Sequence, residues 1–562
     1  MLSVVVILIG LIGYALAYRF YSKWYDKAII ETDPKKTTPA HMYMDGVEFF
    51  PTSRYVLLGY QWKGIAALGP VVGPITAIVW GWLPAFLWLL FGNMFIGWIH
   101  DYSSMMVSVR HEGSSFGPIA HELISPRART ILLWFLQFYL IILCAAMGYT
   151  VSTIFWGYPT TAVPVLVVTI IGIASGFLLY KLKMNVVYVT VLAIVVMFLG
   201  VWLGSFIPFS VDVAIRETFW LFFVFLFCFI GAVTPIWSFA QPIIYISFYL
   251  VYFGIATMIL GVFAGRPDFY QPAFTSFFAP PIGGMAYPAP LWPLLFVVIA
   301  CGAISGWHSL VGSSGSSKQL DTEADGCLIG AGSMYLEGIM AFIALITVAI
   351  LTPDLFKATP AGAPRFVAGG SQLLTFIGIP VDFAKAWAAV ILVILAITVV
   401  QLNLRFARIT MGEIAGARFG GIFKNPYVSS IVCLIVATVL CHSYFGGLWF
   451  YIWAIFGSVN QLMAGLALTI ITLWLLTMGK RWIVTGIPMA FMVVTTIVAL
   501  FLMAHSSYIR ATTLTGVAIV GNIVALVFVS ACIILALLLI WESAKAFGRI
   551  RAKKAAEVKP AA

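Results

Sequence analysis

His308 and Glu337 stand inside otherwise apolar runs, and Asp101 lies beside His100 at the end of a third. A charged side chain at the bilayer centre costs about 3 kcal/mol on insertion scales, so ionisable groups at such positions mark ion or proton pathways. An imidazole titrates near neutral pH, and the carboxylate of Glu337 can share its proton. Ser309, Ser313 and Ser314 follow His308 within the run from Ser305 to Lys318, and hydroxyl oxygens are ligands of the kind a small hard cation takes. The chemistry on offer is binding of a coupling proton or sodium ion near His308, Ser309, Ser313, Ser314, Glu337 and Asp101. Each group also has a plainer use. Small hydroxyl residues let helices approach closely, a buried His is satisfied by one backbone carbonyl, and Asp101 serves equally as an interfacial anchor or a partner of Arg110.

Two clusters of helix breakers fall within apolar runs. One is Gly69, Pro70, Val71, Val72, Gly73 and Pro74; the other spans Gly231, Thr234, Pro235, Ile236, Trp237, Gln241 and Pro242. Open backbone is tolerated at membrane depth only where protein packs on it or water lines it. The pattern predicts two broken helices whose freed amides and carbonyls hold a carboxylate and a cation. Substrate-binding residues are then Gly69, Pro70, Gly73, Pro74, Thr234, Pro235, Trp237 and Gln241. Ordinary proline kinks would leave the same trace.

The elements that must carry these residues follow from composition. Of 562 residues, 62% are hydrophobic and only 9% charged, which excludes a water-soluble domain of this length. Apolar runs near the roughly 20 residues that cross a bilayer predict an all-α polytopic membrane protein of about 15 helices. Taking the first residue as external puts 25 of the 31 Lys and Arg into alternate gaps, which become cytoplasmic by the positive-inside rule. This predicts an inner-membrane protein with its N-terminus outside and its C-terminus in the cytoplasm. The charge of +11 is a matter of topology and not of nucleic-acid binding, for no basic stripe or motif accompanies it. The basic tail from Lys545 to Lys559 suits anionic lipid. The spans carrying the two clusters are five apart and run in opposite directions, the trace of a five-plus-five inverted repeat. The expected division is an N-terminal helix and loop (1–63), a first repeat (64–207), a second (208–426), added helices (427–541) and a tail (542–562).

No HExxH helix, Walker loop or nucleophile elbow is present, so no catalytic residue, resident cofactor or enzyme is expected. The seven cysteines show neither a disulfide framework nor metal-type spacing, and no metal site is expected.

Several stretches together resemble the carbon starvation protein A family of membrane transporters. They include Tyr18 to Tyr21, Ile65 to Pro74, Pro235-Ile236-Trp237, Cys301 to His308, Glu337, Arg405, Arg408, and Asn460 to Gly465. The resemblance implies an importer of pyruvate or peptides with the leucine-transporter-like fold of the amino-acid, polyamine and organocation superfamily. The chain departs from the family pattern at Tyr60 and Gln61, where a His pair is usual, and at Ile243 and Ile244, where Arg-Asp is usual. It departs also at Leu392 and Gln401, which replace acidic residues. The reading is a secondary active transporter for a small carboxylate or short peptides, driven by a proton or sodium gradient. A passive facilitator and a non-transporting sensor or partner subunit are the rival readings. Its partners are the solute and the lipids, and the sequence leaves the oligomeric state open.

Overall fold

The computed structural model describes residues 1–46, 48–282, 285–415, 421–445, 449–513 and 515–558; the last residues of the basic tail, Lys559 among them, lie outside these. Apolar runs become helices that start where a capping side chain meets a proline. Ser125 accepts the Ala128 amide before Pro126, and Asn425 accepts those of Tyr427 and Val428 before Pro426. Proline costs nothing there because its missing N–H has no helical partner.

The bundle helices are α1 (Leu2–Ile30), α2 (Arg54–Ile65), α3 (Gly69–Trp80), α4 (Trp82–Arg110), α5 (Pro126–Gly157), α6 (Pro159–Tyr180), α7 (Val186–Gly204), α8 (Arg216–Val233) and α9 (Ala240–Gly265). After them come α10 (Leu291–Val298), α11 (Gly306–Ser314), α12 (Glu323–Ala349), α13 (Val381–Ala415), α14 (Pro426–Cys441), α15 (Trp449–Thr477), α16 (Ile483–Thr513) and α17 (Val517–Val558). Among the described residues, 12 are long and apolar enough to cross a membrane, or 13 when the bent pair α2–α3 counts as one span. The expected 15 is therefore not reached by whole helices. The remaining spans expected from sequence are the interrupted pair α10–α11 and the 16-residue α14.

The interruptions are not the pair the sequence indicated. In the first, α2 meets α3 at a 46° bend across Ala66 to Leu68, so Gly69 and Pro70 start a helix and do not break one. The second is at 299–305, between α10 and α11, inside the segment 208–426 and not at its opening. The Thr234 to Pro242 cluster is an ordinary connection, since α8 ends at Val233 and α9 begins at Ala240. Proline also fits a turn and a first helical turn, and composition does not separate these uses from a break.

Long, buried α5 and α13 pack on each other at the centre. Helices α8 and α9 lean on α13 as α14 and α15 lean on α5, and α3 packs on α12 as α11 packs on α4. The hairpin α6–α7 rests on α9 outside this pattern, while α16 and α17 pack on α15 and each other. Residues 266–282 and 285–290 lie against the end of α3, with Trp82 N to Pro272 O at 3.2 Å and Trp80 Nε1 to Ala289 O at 3.1 Å.

Candidate functional site

Where the two interrupted spans cross, four titratable side chains meet with no solvent contact. His100 and Asp101 come from α4, His308 from the first turn of α11 and Glu337 from α12, each 0% exposed. Asp101 receives both imidazoles through Nδ1, His100 at 2.8 Å on Oδ1 and His308 at 2.8 Å on Oδ2. The other ring nitrogen of His308 faces Glu337 Oε2 at 3.3 Å. An ionised Asp101 fixes each Nδ1 as a donor, which leaves Nε2 of a neutral His308 with a lone pair. A lone pair cannot face a carboxylate oxygen favourably, so one proton belongs between His308 and Glu337. The Gly302 amide, in the interrupted segment, donates to the same Glu337 oxygen at 3.3 Å. The protonation state of the cluster thus acts on the backbone of the break.

That break is held open by amide side chains. Asn460 Nδ2 donates to Ala300 O at 2.6 Å while its Oδ1 accepts Trp307 N at 3.0 Å and Tyr139 Oη at 2.8 Å. Gln461 Nε2 donates to Phe296 O and Ile299 O, and Asn93 Nδ2 to Gly302 O and Met334 O. Each buried backbone group left unpaired costs about 1–3 kcal/mol, which makes these amides the condition for open backbone here. Asn460→Ala is accordingly expected to lower the unfolding midpoint in detergent by several degrees. Asn460→Asp, which keeps the acceptor and loses the donor, should fall between the two; an unchanged midpoint in both would remove the assigned role.

The break in α2–α3 packs directly on the second break. A Cβ on Gly69 would stand 2.5 Å from Cys301 Sγ, and one on Gly73 would stand 2.9 Å from Val298 O. Trp307 Nε1 closes the contact by donating to Gly64 O at 2.8 Å. Gly69, Pro70, Gly73 and Pro74 are therefore buried packing surfaces, with a void of only about 20 Å³ beside Gly69. The other expected substrate residues lie elsewhere. Pro235 lines a larger cavity, the Thr234 carbonyl accepts from Arg405, Trp237 lies under Lys181 at 5.0 Å, and Gln241 Nε2 meets Gln319 at 3.5 Å. The two sets do not share the cavity expected of them, because one is a helix contact and the other a turn.

Of the expected ion-coupling residues, His308, Glu337 and Asp101 come together. Asp101 is neither an interfacial anchor nor the partner of Arg110, which pairs with Glu323 at 2.7 Å. Ser309 Oγ donates to Gly306 O in its own helix, the Ser313 carbonyl accepts from Ser108, and Ser314 lines the larger cavity. Cys301 joins the cluster instead. Its Sγ and the ligand atoms of His308 and Glu337 lie within 4.8 Å of one another, the one donor set among the described residues that would take a metal ion. These donors come from three places in the chain, which spacing cannot reveal, and the thiol meanwhile donates to Ser305 Oγ at 3.2 Å. Asn93, Asn460 and Gln461 were legible only as polar amides inside apolar runs, a weak signal on its own.

Leu310 and Ser314 of the same helix as His308 line a cavity of about 590 Å³, together with Tyr60, Leu136, Leu402, Lys318, Arg405, Arg408, Glu112 and Glu413. Arg405 donates to Gly231 O and Thr234 O, and Arg408 to Ala232 O, so both close the C-terminus of α8 besides lining the cavity. They are half-buried hydrogen-bonding groups.

The sequence profile of the carbon starvation protein CstA family matches residues 2–361 and 356–499. The chain belongs to this family. Among CstA-family relatives, the peptide transporter CstA of Escherichia coli is 26% identical over 559 residues, covering 86% of this chain and 79% of the relative. The peptide transporter CstA of Bacillus subtilis is 27% identical, covering 90% and 92%. The pyruvate/proton symporter BtsT of E. coli is 32% identical over 360 residues, covering 62% of this chain and 50% of the relative. Solved structures with a similar outline include MhsT in complex with L-phenylalanine, at a TM-score of 0.46 and 13% identity, covering 88% of this chain and 99% of that one. The Eremococcus coleocola manganese transporter aligns at 0.40 and 14%, covering 90% and 99%. The family is one of multi-pass membrane transporters, and the chain is a secondary transporter within it.

Proposed function

We propose that the chain imports a small carboxylate or a short peptide through the inner membrane, driven by protons that bind at the Asp101–His308–Glu337 chain. One observation carries the proposal: the Glu337 oxygen that lies 3.3 Å from His308 Nε2 is the one that also accepts the Gly302 amide of an interrupted helix. Gain or loss of a proton there changes the hold on open backbone at the crossing of the two interrupted spans. A ligand moves an equilibrium only by its differential affinity for the two states, and this contact supplies the difference. The exchange symmetry of the packing supports two halves, 54–265 with α6–α7 inserted and 291–477, rocking against one another.

The cavity lined in part by Leu310 and Ser314 of α11 is the proposed solute path. Residues at 112–117, 314–319 and 405–413 line it, in stretches that the positive-inside reading puts in the cytoplasm, as suits a path open inward. Lys318, Arg405 and Arg408 would meet the solute carboxylate, and the relatives' names as peptide transporter and pyruvate/proton symporter support that solute class. Replacing Arg408 by Gln is expected to raise the KM for a carboxylate solute about tenfold, the worth of roughly 1.4 kcal/mol, with little change in maximal rate.

Purified protein in liposomes, given labelled pyruvate or labelled di- and tripeptides under an inward proton gradient, tests the reading. Accumulation that a protonophore abolishes and sodium replacement leaves intact is expected. Flux that never rises above equilibrium would mean a passive facilitator, and binding without flux a sensor.

A further inference from the structure

Cys301, His308 and Glu337 form a donor set that the proton step uses only in part. Cys301 stands in the interrupted segment 299–305, His308 in the first turn of α11 and Glu337 on α12, and all three are buried. Their ligand atoms lie within 4.8 Å of one another. The set draws nothing from α2 or α3, so it is not a pocket shared by the two interrupted spans.

The donor types suit a borderline-soft divalent ion. Thiolate, imidazole and carboxylate are the ligands of zinc sites, whereas calcium and magnesium take oxygen alone. His308 Nε2 and Glu337 Oε2 stand 3.3 Å apart, the separation of two donors each about 2.0–2.1 Å from a tetrahedral ion. Asp101 Oδ2 takes the Nδ1 proton of His308 at 2.8 Å and so aims the Nε2 lone pair at the same spot. A carboxylate behind a histidine orients metal ligands in this way. Neither His308 Nε2 nor Glu337 Oε1 has an aligned hydrogen-bond partner among the described residues. Gly69 and Ala300, against and next to Cys301, border a void of about 20 Å³. It has room for the one water that completes a three-donor site.

We propose that Cys301, His308 and Glu337 bind a zinc-class divalent ion, which takes the place of the proton between His308 and Glu337, ties the interrupted segment to α12 and stops the transport cycle. Binding sends that proton and the thiol proton to solvent, and the thiolate and the Glu337 carboxylate then offset both charges of the ion. The site itself stands on donor geometry; only the inhibition rests on the proton-coupled reading above.

The test titrates the full chain in detergent with cobalt(II), whose near-ultraviolet thiolate band reports sulfur ligation, and then with zinc(II). The band should saturate at one cobalt per chain and be erased by zinc. Cys301→Ser should lose it although the other cysteines remain. Glu337→Gln keeps the acceptor for Gly302 and the thiol, so it should keep the band and bind more weakly by about tenfold or more. If Cys301→Ser does not fold, Glu337→Gln carries the test. In liposomes, zinc should stop proton-driven uptake by the wild type and a chelator should restore it. Absence of a thiolate band in the wild type, an unchanged band in Cys301→Ser, or undiminished affinity in Glu337→Gln overturns the site. Zinc binding that leaves uptake untouched overturns the inhibition. A chain that shows the band yet takes up no solute under a proton gradient would sink the proton-coupled reading and leave the metal site standing.

Discussion

Substitution of His308 by Ala is expected to reduce gradient-driven accumulation of solute to the equilibrium ratio while solute exchange across the membrane continues. His308 touches both Asp101, at 2.8 Å, and Glu337, at 3.3 Å, and all three are excluded from water. Without the imidazole the two carboxylates lose their shared proton carrier, and no path remains by which a proton reaches the oxygen that holds Gly302. One charge moving down 100 mV is worth about 2.3 kcal/mol, an accumulation of roughly fifty-fold, and all of it should vanish. Exchange needs only a solute site and rocking halves, so counterflow separates lost coupling from lost folding. Glu337→Gln tests the same step from the other side. It keeps an acceptor for the Gly302 amide yet carries no titrating oxygen, and should likewise exchange without accumulating. A His308→Ala protein that still concentrates solute against a proton gradient would refute the coupling assignment. Loss of exchange in both variants would assign the cluster to structure alone.

The sequence disclosed the parts of this site that depend on cost and concealed those that depend on contact. His308 and Glu337 were readable because a titratable group in an apolar run is costly wherever it points. Their meeting with Asp101 was not, since α4 is about 200 residues from α11 and α12 in the chain and only packing decides which faces turn inward. Cys301 shows the same limit, as a thiol in an apolar run reads as a small packing residue until His308 and Glu337 lie beside it. Prolines misled in a physical way. Pro70 begins a helix and Pro235 shapes a turn, whereas the interruption at 299–305 contains no proline. That interruption is made by Asn93, Asn460 and Gln461 reaching in from other helices, information that no local pattern holds. Lys63 escaped because a positive charge was read as the mark of a loop, a rule that holds for solvated lysines and fails for one held by α13.

Gly306→Ala is expected to abolish accumulation of folded protein in the membrane, although the change adds one methyl group and alanine favours helices. Gly306 begins α11, where its α-carbon rests on the backbone of α15. An added Cβ would stand 2.3 Å from Asn460 O, 2.4 Å from Met463 Cβ and 2.8 Å from Ala464 N. Two of these are main-chain atoms of a buried helix and cannot swing aside. Restoring ordinary contact means moving α11 away from α15 by about 1 Å, since packed carbon and oxygen atoms sit near 3.5 Å apart. That displacement breaks the bonds from Asn460 to Trp307 N, at 3.0 Å, and to Ala300 O, at 2.6 Å, which keep the interrupted backbone satisfied. Overpacking of about 1–3 kcal/mol then adds to two buried groups left unpaired at about 1–3 kcal/mol each, a total near the whole stability of a typical domain. Gly312, two turns along the same helix, is the control. Its Cβ would lie 3.5 Å from Met105, an ordinary contact. Gly312→Ala should fold at wild-type yield, with a gain of about 0.5–1 kcal/mol from reduced chain entropy. Equal yields of both variants in membranes, read by fluorescence-detected size exclusion, would show that the Asn460 contact does not set the spacing of α11 and α15.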